Sequence, residues 1–262
     1  MNVTALNIYP IKSLGGISVN TAEARIKGFQ NDRRWMLVDD TGEFLTQRTL
    51  AEMANFKCSL TDDSILVNYK SDNIEVPFNL HVTEPTRVKV WSSKLKAYEV
   101  STQISKWFSS ALGVSATLVR MTDTSVRGKL LFVPPFKTNL SFADGYPYLI
   151  LGEASMTTLN QKLEDKVNSS RFRANILLST QQAHAEDDWK FNFSIGAAKF
   201  KVIKACARCS VVNINQETGQ VTKEPLKTMA DYRKYRKKTW FGANAICVEP
   251  GTISIGDEIV LT

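Results

Sequence analysis

The sequence predicts a mainly β protein of the α+β class. A β-barrel-like domain over residues 1–118 precedes a second β-barrel domain with a few helices over 119–262. Three observations lead there. Short runs rich in Val, Ile, Leu and aromatic residues recur along the chain, separated by Gly, Asp, Asn and Ser. Few stretches carry helical periodicity. The segment from Met121 to Thr138, dense in Thr, Ser, Gly, Pro and cations, reads as a long loop and sets a soft boundary near or before it. With 262 residues and 43% hydrophobic content, the chain can build one large core or two modest ones.

Taken in order, Val3 to Tyr9 alternates as a strand does and runs into a turn from Pro10 to Gly16. Trp35 to Asp39 is a strand, and Asp40-Thr41-Gly42-Glu43 turns it back into Phe44-Leu45-Thr46 as a hairpin. Further strands fall at Ser64–Val67 and Arg87–Trp91. A helix from about Gln103 to Leu112 puts Ile104, Trp107, Phe108 and Leu112 on one face, with Ser101 or Thr102 as cap and Gly113 as stop. In the second half, Tyr148–Leu151 is a strand, Glu153 to Leu163 a helix, and Ile176–Leu178 a strand. A last helix is predicted over Lys227–Arg236, then strands near Asn244–Val248 and Glu258–Leu261.

No apolar run reaches the ~18 residues of a membrane-spanning helix, and the first residues lack the basic flank and apolar core of a signal peptide. A soluble, cytoplasmic protein is expected. The net charge is +7, which suits an anionic partner such as a phosphorylated cofactor, an acidic protein or nucleic acid. Two histidines, His81 and His184, leave little for a His-rich metal site or a Ser-His-Asp hydrolase. Asp187-Asp188 near His184 reads as surface loop. Of four cysteines, Cys58 and Cys247 sit in apolar, strand-like runs and read as buried, inert thiols.

The chemistry concentrates at Lys204-Ala205-Cys206-Ala207-Arg208-Cys209-Ser210. Apolar, β-prone residues flank it on both sides, from Phe200 to Ile203 and from Val211 to Ile214, so the thiols fall at a strand end or a break between strands. A positive charge beside a thiol favours the ionised form, which is a nucleophile or a soft metal ligand. Zinc would need about four ligands, and beyond this pair only two other cysteines and two histidines exist, none at paired spacing. A thioredoxin-like pair would need a βαβ context. Lys12-Ser13, Asp32-Arg33, Arg171/Arg173-Asn175 and Arg208 share one design, a cation in a turn or at a strand end. Converging guanidiniums suit phosphate recognition. The run Tyr232-Arg233-Lys234-Tyr235-Arg236-Lys237-Lys238 reads as a solvated helix face and its last turn, with docking of an acidic protein or nucleic acid as the functional alternatives.

An ordered set of segments then resembles MOSC-domain proteins that carry a MOSC N-terminal β-barrel, the group of the mitochondrial amidoxime-reducing component and its bacterial relatives. The segments are Tyr9–Ser13, Asp32–Trp35, Asp144–Pro147, Leu151–Ser155, Arg171–Asn175, Cys206–Cys209, Lys223–Leu226, Phe241-Gly242 and Pro250–Asp257. The resemblance implies a molybdenum cofactor (molybdopterin) held between two β-rich halves. It implies Cys209 as the metal ligand and catalytic centre, and Lys12, Ser13 and Arg33 on the pterin and its phosphate. Arg173, Asn175 and Arg208 are implied as further cofactor contacts, with Asp144, Gly145, Tyr146 and Asn244 also at the site. Ala174 and Ala207 stand where the family often has Pro and Ser, and Asn244 where animal relatives have Tyr. The implied activity is reduction of small N-hydroxylated compounds, with electrons from a separate ferredoxin- or cytochrome-like protein and no membrane or nucleic-acid partner. A sulfur-carrier or cofactor-delivery role for Cys209 is the alternative. Neither an iron–sulfur domain nor a membrane anchor is expected.

Overall fold

The computed structural model describes residues 1–79, 84–127, 131–133, 136–189 and 192–261, and His81 falls outside them. Among these residues are three α-helices: α1 (Thr102–Leu112), α2 (Glu153–Asn160) and α3 (Leu226–Arg233). The rest is mainly strand. Helix α1 follows directly from its sequence. The Ser101 hydroxyl accepts the Ile104 amide at 3.1 Å, which satisfies one orphan donor of the first turn. Gly113 at φ 68° ends the helix in the left-handed conformation that glycine adopts freely. Ile104, Phe108 and Leu112, four residues apart, are buried along one stripe.

Nine strands form the largest sheet. Across it run Ile17–Val19, Val3–Ile8, Ile176–Leu178, Tyr148–Gly152, Lys238–Glu249, Ala198–Arg208, Asn192–Ile195 and Ile259–Leu261, with Lys234–Tyr235 paired to the side of Lys238–Glu249. Val3–Ile8 lies antiparallel to Ile176–Leu178, so the start of the chain completes the sheet of its second half. Tyr148–Gly152 and Ile176–Leu178 are parallel. Parallel neighbours need a crossover, and α2 lies in it. Fully buried Phe193, Phe200, Ile150 and Ile176 form the core on this sheet.

The first half adds a four-stranded sheet, ordered Trp35–Val38, Thr117–Arg120, Ser93–Glu99, Thr86–Val90, and a three-stranded one, Lys57–Leu60, Ser64–Tyr69, Asp72–Pro77. Helix α1 packs with them around Trp35, Phe56, Ile65 and Phe108. Phe56 stacks on Tyr69 with ring centroids 4.2 Å apart. Burying a side chain such as Phe108 contributes about 1.5–3 kcal/mol.

Four expectations are corrected. The Met121–Thr138 loop contains a hairpin, Leu131–Val133 with Phe136–Thr138. Its apolar residues pair despite the surrounding Gly and Pro. The helix starting at Glu153 ends at Asn160, not Leu163. Residues after Cys209 form a 3₁₀ turn, Ser210–Asn213, instead of a strand, and Asn213 Oδ1 accepts the Leu226 amide at 2.9 Å ahead of α3. Helix α3 stops at Arg233. Lys234 and Tyr235 pair with Thr239 and Lys238 across a two-residue turn, with Arg236 at φ 48° and Lys237 at φ 63°. Such left-handed conformations cost about 1–2 kcal/mol per non-glycine residue.

Candidate cofactor site

One cavity of about 390 Å³ lies between the two halves. Lys12, Ser13, Arg33, Asp144, Gly145, Tyr146, Arg173, Asn175, Arg208, Cys209 and Asn244 all line it. Turns at strand ends deliver most of them. Ser13, Arg33 and Arg173 each sit at positive φ, 69°, 50° and 54°. Non-glycine residues held there are strained, and such strain concentrates at functional sites.

The central network is buried. Asp32, fully inaccessible, accepts the Tyr9 amide at 2.8 Å and Asn175 Nδ2 at 3.2 Å on one oxygen, and Arg33 Nη1 at 2.6 Å on the other. Arg33 Nη1 also donates to Asn175 Oδ1 at 2.9 Å, and Nη2 to the Arg173 carbonyl at 3.2 Å. The Arg33 and Arg173 guanidiniums lie 4.5 and 4.4 Å from the Tyr9 ring centre. Two guanidiniums therefore face one ring and one carboxylate. Burial lowers Arg173 to about 10, although Tyr9 and Asp32 favour its charge. An anion in the cavity would relieve that excess of positive charge.

A second group stands opposite. Lys12 Nζ donates to the Phe142 carbonyl at 2.9 Å and pairs with Asp144. Burial pulls the Lys12 ammonium below its usual range, and Asp144 counters part of that. Burial alone would raise Asp144, but Lys12, then Arg48 and Trp91, outweigh it and hold the carboxyl well below the usual range. Trp91 Nε1 donates to Asp144 at 3.1 Å. Buried Arg127 donates to the carbonyls of Ser141, at 2.9 Å, and Ala143, and so shapes the loop that ends at Asp144. Lys204 Nζ lies 5.2 Å from the Tyr146 ring centre, and Asn244 Nδ2 donates to the Ala205 carbonyl at 3.3 Å.

The thiols lie at a strand end, as expected. Ala198–Arg208 stops one residue before Cys209, and Cys209 opens the 3₁₀ turn. The guanidinium partner differs from the expectation. Arg208 turns to the other sulfur, with Nη1 3.2 Å from Cys206 Sγ and Nη2 2.7 Å from the Phe172 carbonyl. Successive side chains in an extended chain point apart, which carries Arg208 away from Cys209. Arg48 takes its place: Nη2 is 3.4 Å from Cys209 Sγ and 3.5 Å from Asp144 Oδ2, with the guanidinium 4.4 Å from the Trp91 ring centre. Thr46-Gln47-Arg48 is another cation at a hairpin end, the same signal as Lys12-Ser13, and would have revealed it. Beside it, Gln47 and Gln216 exchange hydrogen bonds at 3.1 and 2.9 Å, joining the two halves.

Other candidates separate from the cavity. Burial pushes Cys58 and Cys247 up to about 12, as suits inert thiols. Asp188 is exposed, as a surface loop would have it, but its neighbours in the 3₁₀ turn Ala185–Asp188 are drawn inward. Glu186 is fully buried and accepts Gly152 N at 3.1 Å and Ser155 Oγ at 2.9 Å, and Asp187 pairs with Arg233. Arg233 is thereby withdrawn from the exposed basic run.

Among the described residues, no group of three or more His, Cys, Asp or Glu is placed to hold a metal ion. A single thiol suits a metal that arrives with most of its own ligands. Surrounding cations suit an anionic carrier of that metal, and Arg208 Nε is a buried donor without a partner. The residues fit a cofactor of that kind.

Fold and site together define a class: a two-part β protein with a cation-lined cleft and a thiol in its wall. The chain belongs to the MOSC family, matching the MOSC N-terminal beta barrel domain over residues 1–115 and the MOSC domain over 137–260. It is 30% identical to mitochondrial amidoxime-reducing component 1 of Mus musculus, over 99% of this chain and 82% of that protein. With the Homo sapiens protein of the same name the identity is 29% over the same shares. Molybdenum cofactor sulfurase of Arabidopsis thaliana is 30% identical over 91% of this chain and 32% of its own length. No described helix is long and apolar enough to cross a membrane.

Proposed function

We propose that the protein is a molybdenum-cofactor-dependent oxidoreductase that reduces N-hydroxylated compounds, with Cys209 as a ligand of the metal and electrons from a separate donor protein. One observation carries this: Cys209 and cations from both halves line a single cleft. Similarity to the amidoxime-reducing components over nearly the whole chain supports the reaction class. Four free thiols fit a reducing, cytoplasmic compartment.

When bound, the cofactor would supply the two-electron chemistry that takes oxygen from nitrogen. The chain would supply binding, orientation and electrostatics. Lys12, Ser13 and Arg33 would hold the pterin phosphate, and Arg173, Asn175 and Arg208 the rest of its polar edge. Arg48 fixes the Cys209 sulfur, and Asp144 fixes Arg48 and Lys12. Tyr146 and Asn244, which line the same cleft, would stand with Asp144 and Gly145 at the cofactor. In the overall reaction the substrate takes two electrons and two protons, its N–O bond breaks, and water leaves. The test is turnover of an amidoxime and of a hydroxylamine by cofactor-loaded protein with dithionite as reductant. Reduction of neither would refute the assignment.

Similarity to molybdenum cofactor sulfurases favours a second role, in which Cys209 carries persulfide sulfur or hands the cofactor on. Mass spectrometry of metal-free protein after incubation with a low-molecular-weight persulfide, which would pass its outer sulfur to Cys209 and leave as the thiol, tests sulfur carriage; transfer of bound cofactor to an apo-enzyme tests delivery.

A further inference from the structure

Beside the cofactor cleft is a second concave surface, an open groove of about 530 Å³. Lys223 borders it from the segment leading into α3, Lys227 from the start of α3, and Lys234, Lys237 and Lys238 from the hairpin that follows. All five side chains are exposed. Among the described residues, none of their ammonium groups has an ion-pair or hydrogen-bond partner. Some surface cations elsewhere are paired, such as Arg25 with Glu23 and Lys199 with Glu249, and others, such as Lys94 and Lys106, stand singly among the described residues. No acidic residue occurs between Asp231 and Glu249, so nothing on the hairpin offsets its charge.

Its shape separates possible ligands. The five lysines come from the segment leading into α3, from α3 itself and from the hairpin, and they border a groove that is open to solvent and not an enclosed anion pocket. The hairpin tip places Arg236 and Lys237 at positive φ, where Asn-Gly would be favoured. Cations kept in strained positions point to a use for the cations. Tyr235 next to them is 63% exposed, with the Arg236 guanidinium 5.2 Å from its ring centre. An exposed Tyr with an Arg against its ring is a composition enriched in protein-docking anchors, and the lysines around it supply charge for steering an acidic partner. Position supplies the rest: Arg208 and Lys238 line both the groove and the cofactor cleft.

We propose that this face, the start of α3 together with the Lys234–Lys238 hairpin, docks an acidic electron-donor protein beside the cofactor cleft. The inference rests on the redox function proposed above. Each docking event oxidises the donor by one electron. Two events supply the two electrons that, with two protons from solvent, convert the N–OH of substrate to N–H and water. Arg233, bound to Asp187 and to the Trp240 carbonyl, takes no part in the face.

The test uses cofactor-loaded protein and reduced acidic [2Fe–2S] ferredoxin as the probe. The variant is Lys227→Glu/Lys234→Glu/Lys237→Glu, three residues outside the cofactor cleft. It should raise the KM for ferredoxin and the calorimetric Kd by about tenfold or more, because facing like charges are repelled. Dithionite-driven turnover should stay at the wild-type rate. Added salt should weaken ferredoxin binding to wild type and have little effect on the variant. Unchanged KM and Kd, no ferredoxin binding at low salt, or stronger binding of duplex DNA than of ferredoxin would each overturn the docking face. Wild-type protein that binds ferredoxin in this charge-dependent way but does not turn over with dithionite would overturn the redox function and support the face.

Discussion

The Arg48 Nη2 atom lies 3.4 Å from the Cys209 sulfur, although 161 residues separate them in the chain. The first half thus contributes a side chain directly to the thiol that the second half presents. Arg48 is held at three places, by Cys209, by Asp144 and by the Trp91 ring.

Replacing Arg48 tests that link. A charge-assisted hydrogen bond contributes about 1.5–3 kcal/mol. Arg48→Met should lower turnover by about tenfold or more, with a loss of stability no larger than that contribution. Arg48→Lys keeps the charge and loses the planar fork, so it should recover part of the activity. Steady-state kinetics of the three proteins checks the order.

The two neighbouring thiols should behave differently. Cys206 is engaged by Arg208 on the strand, and Cys209 stands at the strand end facing Arg48. Cys209→Ala should abolish turnover, and Cys206→Ala should be mild. Equal activities of Cys209→Ala and wild type would refute the role given to Cys209.

Asp32 is the buried keystone of the cation network. Removing its carboxylate takes one acceptor from the Tyr9 amide, from Asn175 and from Arg33 and leaves the partly buried Arg33 charge without its counter-ion. Breaking a buried pair costs about 3–5 kcal/mol. Asp32→Ala should show that loss in urea unfolding followed by tryptophan fluorescence, and should weaken cofactor retention as well.

The cluster around His184 gives a pH dependence. Burial, helped by Arg233, holds His184 down to about 4. Its contribution to stability is present above the unfolded value, about 6.5, and is lost as pH falls through about 4. Burial pushes Asp187 the other way, up to about 6, against the pull of Arg233. Its contribution is complete below the unfolded value of about 3.9 and is lost as pH rises through about 6. His184→Leu removes only the first. Relative to wild type, the variant should gain stability as pH drops from 7 to 5. Urea midpoints at the two pH values check the sign.

Much of this was legible in the sequence because the signals are local. Ser101 and Gly113 bound α1, and Lys12, Arg33, Arg173 and Arg208 each sit in a turn or at a strand end. Their meeting in one cavity was inferred from recurrence and family resemblance. What stayed hidden depends on distant partners. Arg48 reaches Cys209 only because the two halves pack together, with Gln47 and Gln216 joined alongside. The sequence carries the last helix on to Arg236, since Lys and Arg are good helix formers. Pairing of Lys234 with Thr239 and Tyr235 with Lys238 overrode that propensity. The Asp187-Asp188 stretch looked like a solvated surface, and only Arg233, from α3, draws Asp187 inward.

Molybdenum and pterin analysis of protein made in a host that synthesises the cofactor tests the central claim most directly. Wild type should carry equimolar metal and pterin, and Cys209→Ser should lose the metal. Wild type free of both, or Cys209→Ser with a full complement of molybdenum, would contradict it.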